Sequence, residues 1–247
     1  MKRIAILTVL LFLLSPVVAP GQTYSGERKF DGKHKNEIAG NLVGGYNVVT
    51  GVIVGEAALY THHFTDRWSL TAGQQVQFIK WLYSFDVMGT YRLPLKRTSI
   101  YFDVHILDNI YGRWGTNEFI ANGSACWEAN YVDFRFGLSF IHYSKYNVKG
   151  EYQFFTDKGY TEPPTFIFGL GVNIRPRSNP WNLGFFIRNY DQFYYENWNI
   201  NWGIRAHAPL TDNMKIFSEF NIRPAGSISQ LATRYETSLK VGVKYVW

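Results

Sequence analysis

The sequence predicts an all-β chain closed into a transmembrane, antiparallel up-and-down β-barrel of about 12 strands. Three observations carry that expectation. Between residues 197 and 208, Trp198, Ile200, Trp202, Ile204, Ala206 and Ala208 share one face, while Asn197, Asn199, Asn201, Gly203, Arg205 and His207 share the other. A split of period two sustained over that length excludes a helical stripe, which repeats every three to four residues. Aromatic residues make up 18% of the chain, yet its mean hydropathy is only −0.17. That mixture suits a wall in which only every second residue meets lipid. Finally, the chain opens on an export signal, and no later segment is long and apolar enough for a transmembrane helix.

Taken in order, Lys2 and Arg3 precede the apolar run Ile4 to Leu14, interrupted only by Thr8. Ser15-Pro16 breaks the run, and Ala19-Pro20-Gly21 supplies the small residues a signal peptidase needs, so residues 1–21 read as a signal peptide cleaved before Gln22. The apolar run is about half the length that spans a bilayer as a helix. The residue at the cleavage point is Gln22 and not cysteine, which argues against a lipoprotein. The single cysteine, Cys126, excludes an intramolecular disulfide. Residues 22–36, polar and charged, read as a flexible periplasmic leader, and 37–247 as the barrel.

Alternating runs then recur near 38–46, 53–63, 68–78, 83–93, 100–110 and 119–127. They continue more clearly at 131–144, 166–175, 181–191, 197–208, 214–223 and 233–247. Compact turns separate alternate pairs: Thr65-Asp66-Arg67, Leu93-Pro94-Leu95-Lys96, one near Asn130, Pro176 to Pro180, and Thr211-Asp212-Asn213. These belong to one rim, the periplasmic one, with both termini. The longer connections, notably 145–164 and 191–197, face outward from the cell.

The last segment alternates as Leu239, Val241, Val243, Tyr245 and Trp247 against polar or small neighbours, and ends on an aromatic residue. With the signal peptide and the strand pattern, it resembles the bacterial outer-membrane β-barrel superfamily. The resemblance implies location in the outer membrane of a Gram-negative bacterium, in contact with outer-membrane lipids and lipopolysaccharide. It also implies that Leu239, Val241, Val243, Tyr245 and Trp247 are the signal read by the barrel assembly machinery. A net charge of +6 is spread at strand spacing without the clustered patch that phosphate binding favours, so nucleic acid is not an expected partner.

Expected inward positions carry both signs. Glu56, Asp86, Asp103, Glu128 and Asp133 are acidic and come mostly from the first half; Arg175, Arg188, Arg205, Lys215, Arg223, Arg234, Lys240 and Lys244 are basic and come from the second, with Glu219 and Glu236 among them. In an up-and-down barrel this order sets an acidic wall against a basic one. A water-filled lumen so lined favours small polar or anionic solutes. Inward Tyr101, Phe186, Tyr190 and Phe217 would instead help to fill it, giving a non-conducting structural or binding barrel.

One catalytic pattern stands apart. His142 and Ser144 share the outer face of their strand, about 7 Å apart, so the imidazole is placed to activate the hydroxyl. The pair resembles the His-x-Ser dyad of outer-membrane phospholipase A and the lipid A deacylases, which implies an outer-leaflet lipid ester hydrolase. Those families follow the serine with Asn; this chain has Lys145 and then Tyr146. No cofactor is expected, and no metal site, because His62 and His63 point to opposite faces. A passive channel for small polar or anionic solutes is therefore the leading expectation.

Overall fold

The computed structural model describes residues 35–47, 51–78, 82–111, 116–145, 159–161, 163–189, 200–224 and 235–247. The expected signal peptide and residues 22–34 of the leader lie outside them. In chain order the described strands are β1 (Asn36–Asn47), β2 (Gly51–His63), β3 (Trp68–Gln77), β4 (Leu82–Pro94), β5 (Ser99–Tyr111), β6 (Thr116–Glu128) and β7 (Val132–Lys145). They continue with β8 (Tyr160–Thr161), β9 (Thr165–Asn173), β10 (Asn182–Arg188), β11 (Asn201–Thr211), β12 (Met214–Pro224) and β13 (Tyr235–Val246). Among the described residues no helix is long and apolar enough to cross a membrane.

Twelve of the strands form a closed antiparallel wall in which each pairs with its sequence neighbours and β13 returns to β1. The thirteenth, β8, is a two-residue extension beside the end of β7. Pro163 and Pro164 separate it from β9, since proline has no N–H to donate to the ladder. The closing seam runs from Glu37↔Val246 to Asn47↔Glu236. It is locked at the end by reciprocal bonds of 3.1 Å between the backbones of Asn36 and Trp247. Closure answers a strict demand: in hydrocarbon, a strand edge has no water to satisfy its backbone groups.

Both described chain ends lie on one rim with the five compact turns, at 64–67, 95–98, 129–131, 174–181 and 212–213. The turn residues act as the sequence suggests. The Thr65 hydroxyl accepts the N–H groups of Arg67 and Trp68 at 3.1 and 3.0 Å, and the Asn179 amide oxygen accepts that of Trp181 at 2.9 Å.

Every strand divides its side chains between two solvents. Outward lie Leu42, Val54, Phe85, Val104, Phe136, Leu170, Phe185, Trp202, Phe220 and Val241, all exposed. Inward lie mostly polar groups. Near the turn rim an aromatic girdle forms: Tyr245 stacks on Trp247 at 5.6 Å, Tyr60 lies 6.3 Å from Trp247, and Trp68 lies 4.6 Å from Tyr91. Such rings bury their bodies in the apolar layer and keep their polar tips wet.

The expected assembly residues Leu239, Val241, Val243, Tyr245 and Trp247 all sit exposed on this outer face. Val241 pairs with Leu42 near the middle of the seam. Val241→Arg should therefore cost about 2–4 kcal/mol of stability, read as a shift in the urea midpoint of folding into lipid vesicles. The same substitution at exposed Asp212, in a turn, should shift it little.

Candidate channel lumen

The interior is built by a simple device. Long charged side chains lie sideways along the wall and pair with strands two or three away, over small residues that clear their path. Arg205 on β11 donates to Asp133 on β7 at 2.6 Å, passing β10 and β9. It does so above Gly184 and Gly171. A Cβ at Gly171 would collide with the Asp133 carboxylate and the Arg205 guanidinium, and one at Gly184 would lie 3.3 Å from Arg205 Nε. Arg177, from the 174–181 turn, also binds Asp133, and its Nε donates to the Ala129 carbonyl at 3.0 Å. Glu128 lies 3.6 Å from the same guanidinium.

The pattern repeats elsewhere. Arg135 on β7 reaches Asp103 on β5 at 2.9 Å, crossing β6 at Ser124, to which it also donates. Arg188 on β10 reaches Glu219 on β12 at 2.8 Å. Its guanidinium rests 4.2 Å above the Phe186 ring, and that ring lies over Gly203 of the intervening strand. Glu219, 0% exposed, also accepts from Asn221 and lies 3.8 Å from Lys240. At the turn rim, Glu37 binds Lys244 across the seam and His63 at 2.8 Å. Asp86 pairs with His105 at 2.6 Å.

One further row is neutral except at its end. Gln75, Ser84, Asn109 and Glu118 are register partners across β3 to β6. The Ser84 hydroxyl donates to Asn109, whose amide donates to Glu118 at 2.7 Å. Gln75 Nε2, Asp86 Oδ2, Asn173 Nδ2 and Asn201 Oδ1 are buried with no hydrogen-bond partner among the described residues. Such groups are costly in a dry core and ordinary where water or a polar solute reaches them.

Most expected lumen residues are where parity put them. Asp86, Asp103, Arg188 and Lys240 are buried inward, and Glu128, Asp133, Arg205, Lys215 and Lys244 are inward and half-buried. Two are not. Glu56 is the register partner of outward Leu42, while Ile53 and Ala57 take the inward parity of β2, so Glu56 faces lipid. The error arose because Val52, Ile53 and Val54 are all apolar and local pattern cannot choose between them. Arg175 lies past the end of β9 in the turn, exposed, beyond the range over which strand parity acts. Arg223 is in β12 opposite Glu236, and Arg234 lies outside the described residues, as does Tyr190.

The expected opposition of acidic and basic walls is also replaced. Closure brings β13 against β1, and sideways reach brings β11 to β7, so opposite charges meet within one wall. Sequence reading missed Glu37, His63, His105, Glu118, Arg135 and Arg177. His105 and Arg135 had a usable signal, since each shares the parity of a recognised acid two residues away.

His142 is exposed on the outer face as expected, and Ser144 shares that face. Among the described residues, however, the ring partner of His142 is the Thr161 hydroxyl, at 2.8 Å on β8. His62 and His63 diverge as expected, to Asn36 outside and Glu37 inside.

The fold is shared with solved structures. The KdgM porin, in complex with disordered oligogalacturonate, superposes with a TM-score of 0.54 at 10% identity, over 85% of this chain and 99% of that one. An outer membrane channel from Pseudomonas putida F1 gives 0.52 at 10% identity, over 92% and 100%. The translocator domain of the autotransporter NalP from Neisseria meningitidis gives 0.52 at 14%, over 88% and 90%. The chain has the fold of a bacterial outer-membrane β-barrel. No protein-family model and no curated protein matches it in sequence.

The barrel's interior pairs imply a specific sensitivity. Gly171→Val would drive a side chain into the Asp133–Arg205 bond and should cost about 1–3 kcal/mol, measured as a lower urea midpoint. Gly89→Val is the control, because a Cβ there meets nothing within 4 Å.

Proposed function

We propose that this barrel is a passive outer-membrane channel for small polar or anionic solutes, with both chain ends and the compact turns in the periplasm. The observation that carries the reading is the sideways lie of the inward charges. Arg205, Arg135 and Arg188 are held against the wall by Asp133, Asp103 and Glu219, so these three long side chains do not bridge the bore. Twelve strands at the usual spacing and tilt enclose a cylinder roughly 24 Å across between backbones. A ring of side chains lying flat cannot fill that width.

The buried polar atoms that have no hydrogen-bond partner among the described residues support a hydrated interior. The signal sequence supports export, and the apolar belt with its aromatic girdle supports residence in a bilayer. The outward strand Leu239 to Trp247 supports recognition by the assembly machinery. Anion preference is favoured by Arg188 and Lys240 flanking the single carboxylate of Glu219, and by Arg177 and Arg205 flanking Asp133. The KdgM porin, a barrel of the same fold, is known with oligogalacturonate, an acidic sugar chain.

Recording from the purified, folded protein in a planar bilayer tests the reading. Discrete conductance steps are expected, with a reversal potential displaced toward anions. Replacing both Arg188 and Arg205 with Ala should lower that preference several-fold. Folded protein that conducts nothing would exclude the channel and leave a closed structural or binding barrel.

A further inference from the structure

The lipid-facing position of Glu56 has a consequence independent of the lumen. The outer face of β2 carries Val52, Val54, Glu56, Ala58 and Tyr60, and Tyr60 belongs to the girdle at the turn rim. Glu56 therefore stands near the middle of the apolar belt. Its register partners are Leu42 on β1 and Val76 on β3. Gln74 is on the same face, two residues from Val76 and opposite Ala58. Among the described residues neither Glu56 nor Gln74 takes part in a hydrogen bond or ion pair. A carboxyl and a carboxamide at this depth face a solvent that offers no donor and no acceptor, which is expensive.

The surface beside them is low. On β1, Gly40 and Gly44 flank Leu42 and pair with Ala58 and Val54. A Cβ at Gly44 would meet nothing within 4 Å, and one at Gly40 only the Ala57 carbonyl at 3.8 Å. Neither glycine has a positive φ. Packing within the chain therefore asks for glycine at neither site. Gly89 and Gly123 are equally open on the outer face, but they lie among apolar partners, Leu70, Val104 and Leu138. Among the described residues, it is the depression at Gly40 and Gly44 that borders polar groups without a partner.

We infer that this patch is the contact of a homodimer, occupied by a second copy of the chain related by a two-fold axis. The Gln74 amide of each copy donates to the Glu56 carboxyl of the other, so one symmetric contact makes two bonds and gives every one of the four polar groups a partner. The low surface at Gly40, Gly44 and Ala58 lets the two walls approach closely enough for those bonds, as small residues do between membrane helices. A lipid acyl chain supplies neither donor nor acceptor. A second copy carries both at matching positions.

The test uses the full-length protein in proteoliposomes, with Cys126→Ser to remove the native thiol. Ala58→Cys should cross-link to a dimer through a short bifunctional thiol reagent, whereas Val104→Cys, outward on β5, should not. Glu56→Leu should weaken dimerisation roughly tenfold or more. Glu56→Gln, which keeps an acceptor, should retain it. Gly40→Leu with Gly44→Leu should abolish the dimer, while the heat-modifiable mobility of the folded barrel and its conductance stay as in the parent. Equal cross-linking at positions 58 and 104, dimers that survive the double leucine substitution, or a monomer that retains lipid at this face would overturn the proposal. A dimer that does not conduct would remove the channel reading and leave this one intact.

Discussion

A peptide group inside hydrocarbon has no partner except another peptide group, and the whole molecule follows from that. Twelve strands satisfy one another in a ring, and the ring closes only because β1 and β13 are long enough to pair along their full length. Closure settles at a stroke which residues meet lipid and which do not. It also confines the turns to two rims, and on the rim where they are described they are short, polar and self-bonded. Apolar burial is the lesser part of the interior: Ile53, Met88, Tyr101 and Phe186 are buried, but most buried side chains are polar, and Gln75, Glu118, Glu219 and Asn109 are among the most deeply enclosed.

The inward charges of Arg135, Arg188 and Arg205 find their opposite charges beside them along the wall, two or three strands away. Sideways pairing demands clearance, and glycine or serine at Gly171, Gly184, Gly203 and Ser124 provides it. The same arrangement stiffens the wall between β5 and β13 and keeps long side chains out of the centre. Each carboxylate held by two cations, as Asp133 and Glu219 are, leaves local positive charge facing the lumen.

Legibility in the sequence varied with local contrast. The strand at Asn201–Thr211 is obvious because Trp202 and Ile204 alternate with Asn201, Gly203 and Arg205. The strand at Gly51–His63 is not, since three successive apolar residues near its start hide the parity, and local alternation therefore points Glu56 to the wrong side. Arg175 failed differently: alternation was carried one step past the last ladder bond of β9. The turns were legible throughout because Pro, Asn, Asp and Thr act within three residues of themselves. Arg177 was read only as part of a turn, although its side chain reaches back to β7.

The chain's local pattern determined strand alternation, turn positions and the outward aromatic end, and with them an even-stranded barrel. These are properties of neighbours in sequence, where a period of two and a fixed φ act directly. Only the tertiary structure decided who pairs with whom inside. The meeting of Glu37 with Lys244, or of Arg205 with Asp133, depends on where the cylinder closes and how far its strands are staggered. A one-residue slip in register leaves the alternating pattern legible and changes every such partner.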